Sequence, residues 1–208
     1  MSIWGNIFAA TYDRIMSGVE KNVVGPHRKE LLARTHGRVL EIGGGTGANL
    51  PYWPDAVTEV VASEPEEPMA RRYEAKLSEY SRNVKVVRAP AEALPFGDDE
   101  FDFVVSTLVL CTVSDPAKAL SEVRRVLKPQ GELIFLEHVR SDEPKLAKWQ
   151  NRLNGLQRRV GHGCNCNRDT VANIEHAGFT VDGLGHDTLR PAPPIVRPLV
   201  FGSAHPNT

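Results

Sequence analysis

Residues 40–50 read LEIGGGTGANL, and this stretch decides the fold. The apolar run "RVLEI" stops at Gly43, Gly44, Gly45 and Gly47. Glycines at the end of a buried strand let the backbone turn sharply and approach a ligand at the carboxyl edge of a sheet. The alternation continues outward from that turn. "TEVVASE" reads as a second strand and "PMARRYEAKLSEY" as a helix. "VKVVRA" is a third strand and "FDFVVSTLVL" a fourth. "DPAKALSEVRRVLKPQG" is a helix closed by a Pro-Gln-Gly turn, and "ELIFLEHV" is a fifth strand. Strands alternating with helices predict an α/β fold, a mostly parallel sheet covered on both faces.

On the N-terminal side, Ile3, Ile7, Phe8 and Ile15 recur at helical spacing, and a second helix is expected over Val23–Thr35 with Gly25-Pro26 in its first turn. On the C-terminal side, "KLAKWQNRLNGLQRRV" is a helix with a basic face. "DTVANIEHAGF" is a short helix with Asp169 as its N-cap and Gly178 at its end. "TVDGLGHDTL" and "RPLVFGSAH" read as an antiparallel pair. With no linker in the chain, the expectation is a single domain over 1–208. It comprises a helical lid (1–35), a cofactor-binding core (36–140), a helical and loop cap (141–175) and a C-terminal β-hairpin (176–208).

A chain of 208 residues with 41% hydrophobic and 25% charged residues has the balance of a soluble globular protein. A net charge of −1 gives no basic field for nucleic acid. Three cysteines argue against a disulfide framework and for a reducing compartment, so a cytoplasmic location is expected. The N-terminus lacks the pattern of a signal peptide, and no run approaches about 18 apolar residues. Weak contact of the N-terminal helix with a membrane surface stays open, as does the oligomeric state.

Glu64 closes the second strand, where an acid can hold both hydroxyls of a ribose. Gly43-x-Gly45-x-x-Ala48 formally fits a dinucleotide fingerprint. Glu41, two residues before Gly43, argues against a dinucleotide, because a carboxylate there repels a pyrophosphate. S-adenosyl-L-methionine has no phosphate and carries a positive amino group and a sulfonium, which Glu41 suits. The chain also lacks a second dinucleotide half. The expected ligand is therefore S-adenosyl-L-methionine, with S-adenosyl-L-homocysteine as product, rather than NAD.

"LEIGGGTGANL", "AEALPF", "FDFVVSTLVL" and "EVRRVLKPQGELIFLEH" resemble class I S-adenosylmethionine-dependent methyltransferases of the type related to ubiquinone biosynthesis. "STLVLCTV", "FLEHV", "WQ", "GCNCNRDT" and "PLVFGSA" more narrowly resemble the alkyl thiol methyltransferases and their bacterial relatives. The resemblance implies a Rossmann-like seven-stranded sheet with a reversed final hairpin. It implies that Glu41, Gly43, Gly45 and Gly47 meet the methionine part of the cofactor, with Gly44 and Asn49 in the same loop. Glu64 and Pro65 then belong to the ribose, Ala91 and Glu92 to the adenine, and Thr107 and Leu108 to the sulfonium. Tyr12 matches a "YD" pattern whose Tyr closes over the cofactor. Where many relatives carry an Asp before the Ala of "AEALPF", this chain has Pro90, so the adenine contact passes to Glu92 or to backbone.

The remaining polar residues leave choices. His138 ends the fifth strand and is either a general base or acceptor contact, or an edge His bonded to backbone. Glu137 alternates with it and is expected to point the other way. Trp4, Phe8, Tyr12 and Trp149 are candidates to line an apolar acceptor pocket, with Cys111 and Cys164. "GHGCNCNRDT" (161–170) places His162, Cys164 and Cys166 at alternate positions. A zinc site wants four ligands, and these supply three at an awkward spacing, so no metal is expected and the stretch is best read as a pocket wall. The expected activity is methyl transfer to a small or lipophilic acceptor, a thiol favoured. The alternatives are a phenol or quinol, an amine or a phospholipid headgroup. An NAD-linked reductase and a non-catalytic binding module are the rivals.

Overall fold

A computed structural model describes residues 3–207, with side chains from Ala10 onward. Seven strands form one sheet in the order β3-β2-β1-β4-β5-β7-β6. They are β1 (Gly37–Ile42), β2 (Val57–Ser63), β3 (Val84–Val87), β4 (Phe101–Thr107), β5 (Leu127–His138), β6 (Phe179–Thr188) and β7 (Pro198–Pro206). The first five pair in parallel; β7 runs antiparallel to both β5 and β6. The expected reversed hairpin is therefore present. Chain order reverses at β1 and β4, so their carboxyl ends splay apart into the crevice where open α/β sheets bind ligands.

The helices are α1 (Ile3–Val19), α2 (Gly25–Leu32), α3 (Glu67–Lys76), α4 (Pro116–Val126), α5 (Pro144–Val160) and α6 (Thr170–His176). Two-residue periodicity divides the sheet's side chains between two cores. Leu133 and Phe135 join Leu120, Val123 and Ile174 on one face, while Ile134 and Leu136 join Leu32, Trp53 and Val24 on the other. Asp169 caps α6 by accepting from Ala172 N, and Gly178 follows at φ +83°, as expected.

Two expectations need correcting. The first two helices are not separate: α1 runs into α2 through a π-helical turn, Glu20–Val24. Pro26 has no N–H and its ring crowds the carbonyl four residues back. The chain therefore widens by one residue, and Gly25 N donates to Glu20 O. "LKPQG" is not a turn but the first part of β5, which starts at Leu127, directly after α4. The register of β4 against β5 shifts between Phe101 and Phe103 to absorb it. At the other edge, the β6–β7 ladder breaks between Asp182 and Gly185. There the ring of Phe201 covers Gly185, where a Cβ would come within 2.3 Å of it.

Candidate functional site

The glycine turn follows β1 directly. Gly43, Gly45 and Gly47 have φ of +57°, +57° and +80°, a region that other residues rarely adopt. At Gly43 a Cβ would also stand 2.6 Å from Val109, so the turn leans on the loop after β4. Glu41 is buried beneath it. Its carboxylate accepts from Tyr73 Oη at 2.7 Å and Asn49 Nδ2 at 2.8 Å. Arg28 donates to Asn49 Oδ1 at 2.7 Å and to Glu20. Burial dominates and holds Glu41 at about 7, despite those donors and the Arg28 charge. A buried carboxylate poised in this way suits a cationic ligand group.

Glu64 lies just past β2 and accepts from Gly45 N and Glu66 N, each at 2.8 Å. Burial raises its pKa against those two donors. Each oxygen keeps a lone pair for a hydroxyl. Pro65 is exposed beside it. Ala91 is buried in the core. Glu92 does not extend toward open space. Its Oε1 accepts from Ser114 N, Ser114 Oγ and Asp115 N, which pins the entry to α4. Burial opposes ionisation of Glu92, but these donors prevail and lower its pKa.

Tyr12, Glu41, Gly43, Gly44, Gly45 and Thr107 line one small cavity of about 30 Å³, together with Arg28 and Thr46. The sequence brought these residues forward separately; the fold gathers them. Tyr12 has a part-exposed ring, while loss of water around its hydroxyl pushes its pKa up to about 12. Asp13, on the same helix α1, accepts from Thr46 Oγ1 and from Lys76 Nζ, the latter at 2.9 Å. The N-terminal helix is thus clasped over the glycine turn. Trp4 and Phe8, expected in the acceptor pocket, lie outside the described side chains.

Beyond β4 the chain turns at Leu108, which has φ +59°. Glu137 explains how this turn is held. Fully buried on β5, it accepts from Ser106 Oγ at 2.7 Å, Val109 N and Leu110 N at 3.0 Å, and Cys111 N at 3.3 Å. Burial raises its pKa, the donors offsetting part of the effect. Its neighbour His138 points elsewhere, as the alternation predicts. His138 Nε2 lies 2.8 Å from Cys164 Sγ, while Nδ1 has no hydrogen-bond partner among the described residues. Neither backbone contact nor bulk solvent satisfies that ring.

The loop between α5 and α6 caps this end of the sheet. Asn165 N and Nδ2 donate to Cys111 O at 2.9 and 3.2 Å, and Arg168 Nη1 donates to Leu110 O and Val113 O. The stretch 161–170 thus lies over the turn after β4, while the cavity at the glycine turn is lined by none of its residues. All three cysteines are free. The contact with Cys111 lowers the Cys164 pKa, and Cys111 is raised in turn. Cys166 lies apart, its sulfur directed at Gln150 O and Asn154 Oδ1. Trp149 departs from expectation. It is 54% exposed with Arg152 over its ring, because Ala147 and Gln150 occupy the inward face of α5.

Arg28, Tyr73, Thr46 and Glu137 were missed by sequence reasoning. Tyr73 was legible in principle, since it follows Met69 and Ala70 on the apolar face of α3. The other three act through side-chain contacts over long sequence separations, which no spacing rule signals.

The methyltransferase domain family matches residues 40–135, from β1 into β5. A thiol S-methyltransferase of Rattus norvegicus is 37% identical over 147 residues, 68% of this chain and 59% of that protein. A second thiol S-methyltransferase, from Homo sapiens, is 33% identical over 171 residues, 80% of this chain and 69% of that protein. The chain thus spans well under the full length of these curated relatives. Among solved structures, an S-adenosylmethionine-dependent methyltransferase of Thermotoga maritima is 25% identical, with a TM-score of 0.67 over 98% of both chains. With the strand order, the glycine turn and the paired acids already in place, these likenesses lead to one assignment: the chain belongs to the S-adenosylmethionine-dependent methyltransferases.

Proposed function

We propose that the protein transfers the methyl group of S-adenosylmethionine to the sulfur of a small lipophilic thiol. The cofactor supplies an electrophilic methyl on a sulfonium. Glu41 would hold its α-ammonium, Glu64 would hold the ribose hydroxyls, and the turn from Gly43 to Gly47 would line the methionine portion. Thr107 and Leu108 sit at the end of β4, where the sulfonium would lie, and Tyr12 covers it. Such catalysis is mainly placement, with the acceptor atom about 3–3.5 Å from the methyl carbon and in line with the leaving sulfur.

One observation carries the choice of acceptor. Glu137, the acid at the carboxyl ends of β4 and β5, is engaged by four donors, three on Oε1 and one on Oε2, that tie it to the turn after β4. The groups beside it are two thiols, Cys111 and Cys164, and His138, whose Nε2 faces Cys164 Sγ. A phenol or quinol needs a well-placed base, whereas a thiol ionises near neutral pH. The names of the two thiol S-methyltransferase relatives support the same reading. The test is an acceptor panel of matched shape. An alkyl or aryl thiol should yield its methyl thioether with one S-adenosylhomocysteine per turnover, and the corresponding phenol should not react. Turnover of the phenol with no turnover of any thiol would sink the proposal.

A further inference from the structure

The sulfurs of Cys111 and Cys164 and a ring nitrogen of His138 all lie within 4.8 Å of one another, and all three residues are buried. They come from three distant parts of the chain: the turn after β4, the end of β5, and the loop between α5 and α6. Each is fixed independently. Cys111 N is held by Glu137, Cys111 O takes two bonds from Asn165, and Cys164 Sγ takes a donor from Gln157 Nε2 at 3.4 Å. His162 and Gly163, at φ +50° and +95°, turn the loop so that Cys164 faces inward. His138 is 6% exposed, and its Nε2 already faces Cys164 Sγ at 2.8 Å.

We propose that Cys111, His138 and Cys164 bind one zinc-class divalent ion with an open fourth position. Two thiolates and a neutral imidazole are a donor set that favours zinc and excludes magnesium and calcium. Two thiolate charges neutralise the dication, which removes most of the penalty of burying it. Around a tetrahedral zinc the imidazole nitrogen and a thiolate sulfur stand about 3.6 Å apart. The contact observed between His138 Nε2 and Cys164 Sγ is 2.8 Å, so the loop carrying Cys164 must ease outward by less than about 1 Å. Three protein ligands with one open position is the arrangement of catalytic zinc sites. The sequence expectation of no metal took His162, Cys164 and Cys166 as three ligands at an awkward spacing, with any fourth a remote one such as Cys111, His138 or His176. The fold instead leaves Cys166 out and recruits Cys111 and His138.

The site stands on the turn after β4, beside the methyl-transfer pocket: Thr107 at the end of β4 lines that pocket, and Val109 of the same turn packs against Gly43. Its open position is the place for the acceptor sulfur, an assignment that rests on the thiol reading above. The acceptor S–H passes its proton to water as the metal–sulfur bond forms. A new S–CH3 bond then forms as the sulfonium S–CH3 bond breaks, and the neutral thioether, a poor ligand, leaves.

Cobalt(II) is the probe. Reduced, metal-stripped protein should take up one cobalt per chain, with a thiolate-to-cobalt charge-transfer band in the near ultraviolet and the intense visible bands of a four-coordinate site. Zinc should displace it. Cys111→Ala and Cys164→Ala should each abolish the charge-transfer band, while Cys166→Ala should keep it; thermal melts check that each variant folds. An alkyl thiol added without methyl donor should intensify the band. Absence of one-to-one cobalt uptake by the wild-type protein overturns the metal centre, whatever the variants do. Uptake with no spectral response to thiol overturns the acceptor assignment at that centre. Calorimetry with S-adenosylhomocysteine, run beside it, reports on the methyltransferase reading separately.

Discussion

Glu41 illustrates how a ligand site stores instability. Its carboxyl sits at about 7 in the fold against an ordinary 4.5, because burial outweighs Tyr73, Asn49 and Arg28. Between those values the folded chain keeps a proton that the unfolded chain has lost. Stability from this group therefore falls as pH rises from about 4.5 to about 7, by about 3 kcal/mol in all, and stays lost above that. Glu41→Gln removes the penalty. At pH 8 the cofactor-free variant should melt higher than the wild type in calorimetry. The same variant should bind S-adenosylhomocysteine about 10-fold or more weaker, since a charge-assisted contact to the α-ammonium is gone. A lower melting point with unchanged affinity would show that Glu41 is a structural residue instead.

At the scale of elements, the turn after β4 matters most. The N–H groups of Val109, Leu110 and Cys111 share one acceptor, the Glu137 carboxylate, and Leu108 before them holds a left-handed conformation. Glu137→Ala leaves several buried donors unmet, at about 1–3 kcal/mol each. The expected loss exceeds about 3 kcal/mol by denaturant unfolding, with activity lost as Cys111 is released. Glu137→Gln, which keeps one acceptor oxygen, should recover part of that stability. A near-neutral Glu137→Ala would mean the turn is held by other contacts.

The strands and their order of types were legible because buried parallel strands are continuous apolar runs, "RVLEI" and "FDFVVSTLVL" among them. The placement of Glu41 and Glu64 beside the glycine turn was legible because it depends only on distance from that turn within one βα unit. The π-turn at Glu20–Val24 was not, since Pro26 alone permits a break, a kink or a widened turn. Nor was the meeting of Cys111, His138 and Cys164, which lie up to 53 positions apart and are joined only by tertiary folding.

On the scale of the whole molecule, α1 closes a site that is otherwise open at the sheet's carboxyl edge. A cavity of about 30 Å³ cannot hold a nucleoside, because ligand pockets run to about 300 Å³ or more. Cofactor binding therefore widens this site, and α1, packed over the glycine turn, is the element placed to give way. Asp13 is its clasp, through Thr46 and Lys76. Asp13→Ala should shorten the residence of S-adenosylhomocysteine by about 3- to 10-fold, the worth of one hydrogen bond and a surface ion pair. Stopped-flow displacement reads this directly, and an unchanged off-rate would place the gate elsewhere. Hydrogen exchange along residues 10–19 should slow on binding.

The break in the β6–β7 ladder bears on how such molecules coexist at high concentration. β6 is the outer strand, and a long straight outer strand is a template for another chain to extend. Here the register slips between Asp182 and Gly185, so the outer rim consists of two short segments set out of line. A stranger strand aligned with one segment is misaligned with the other, and the sheet resists growing past its own last strand.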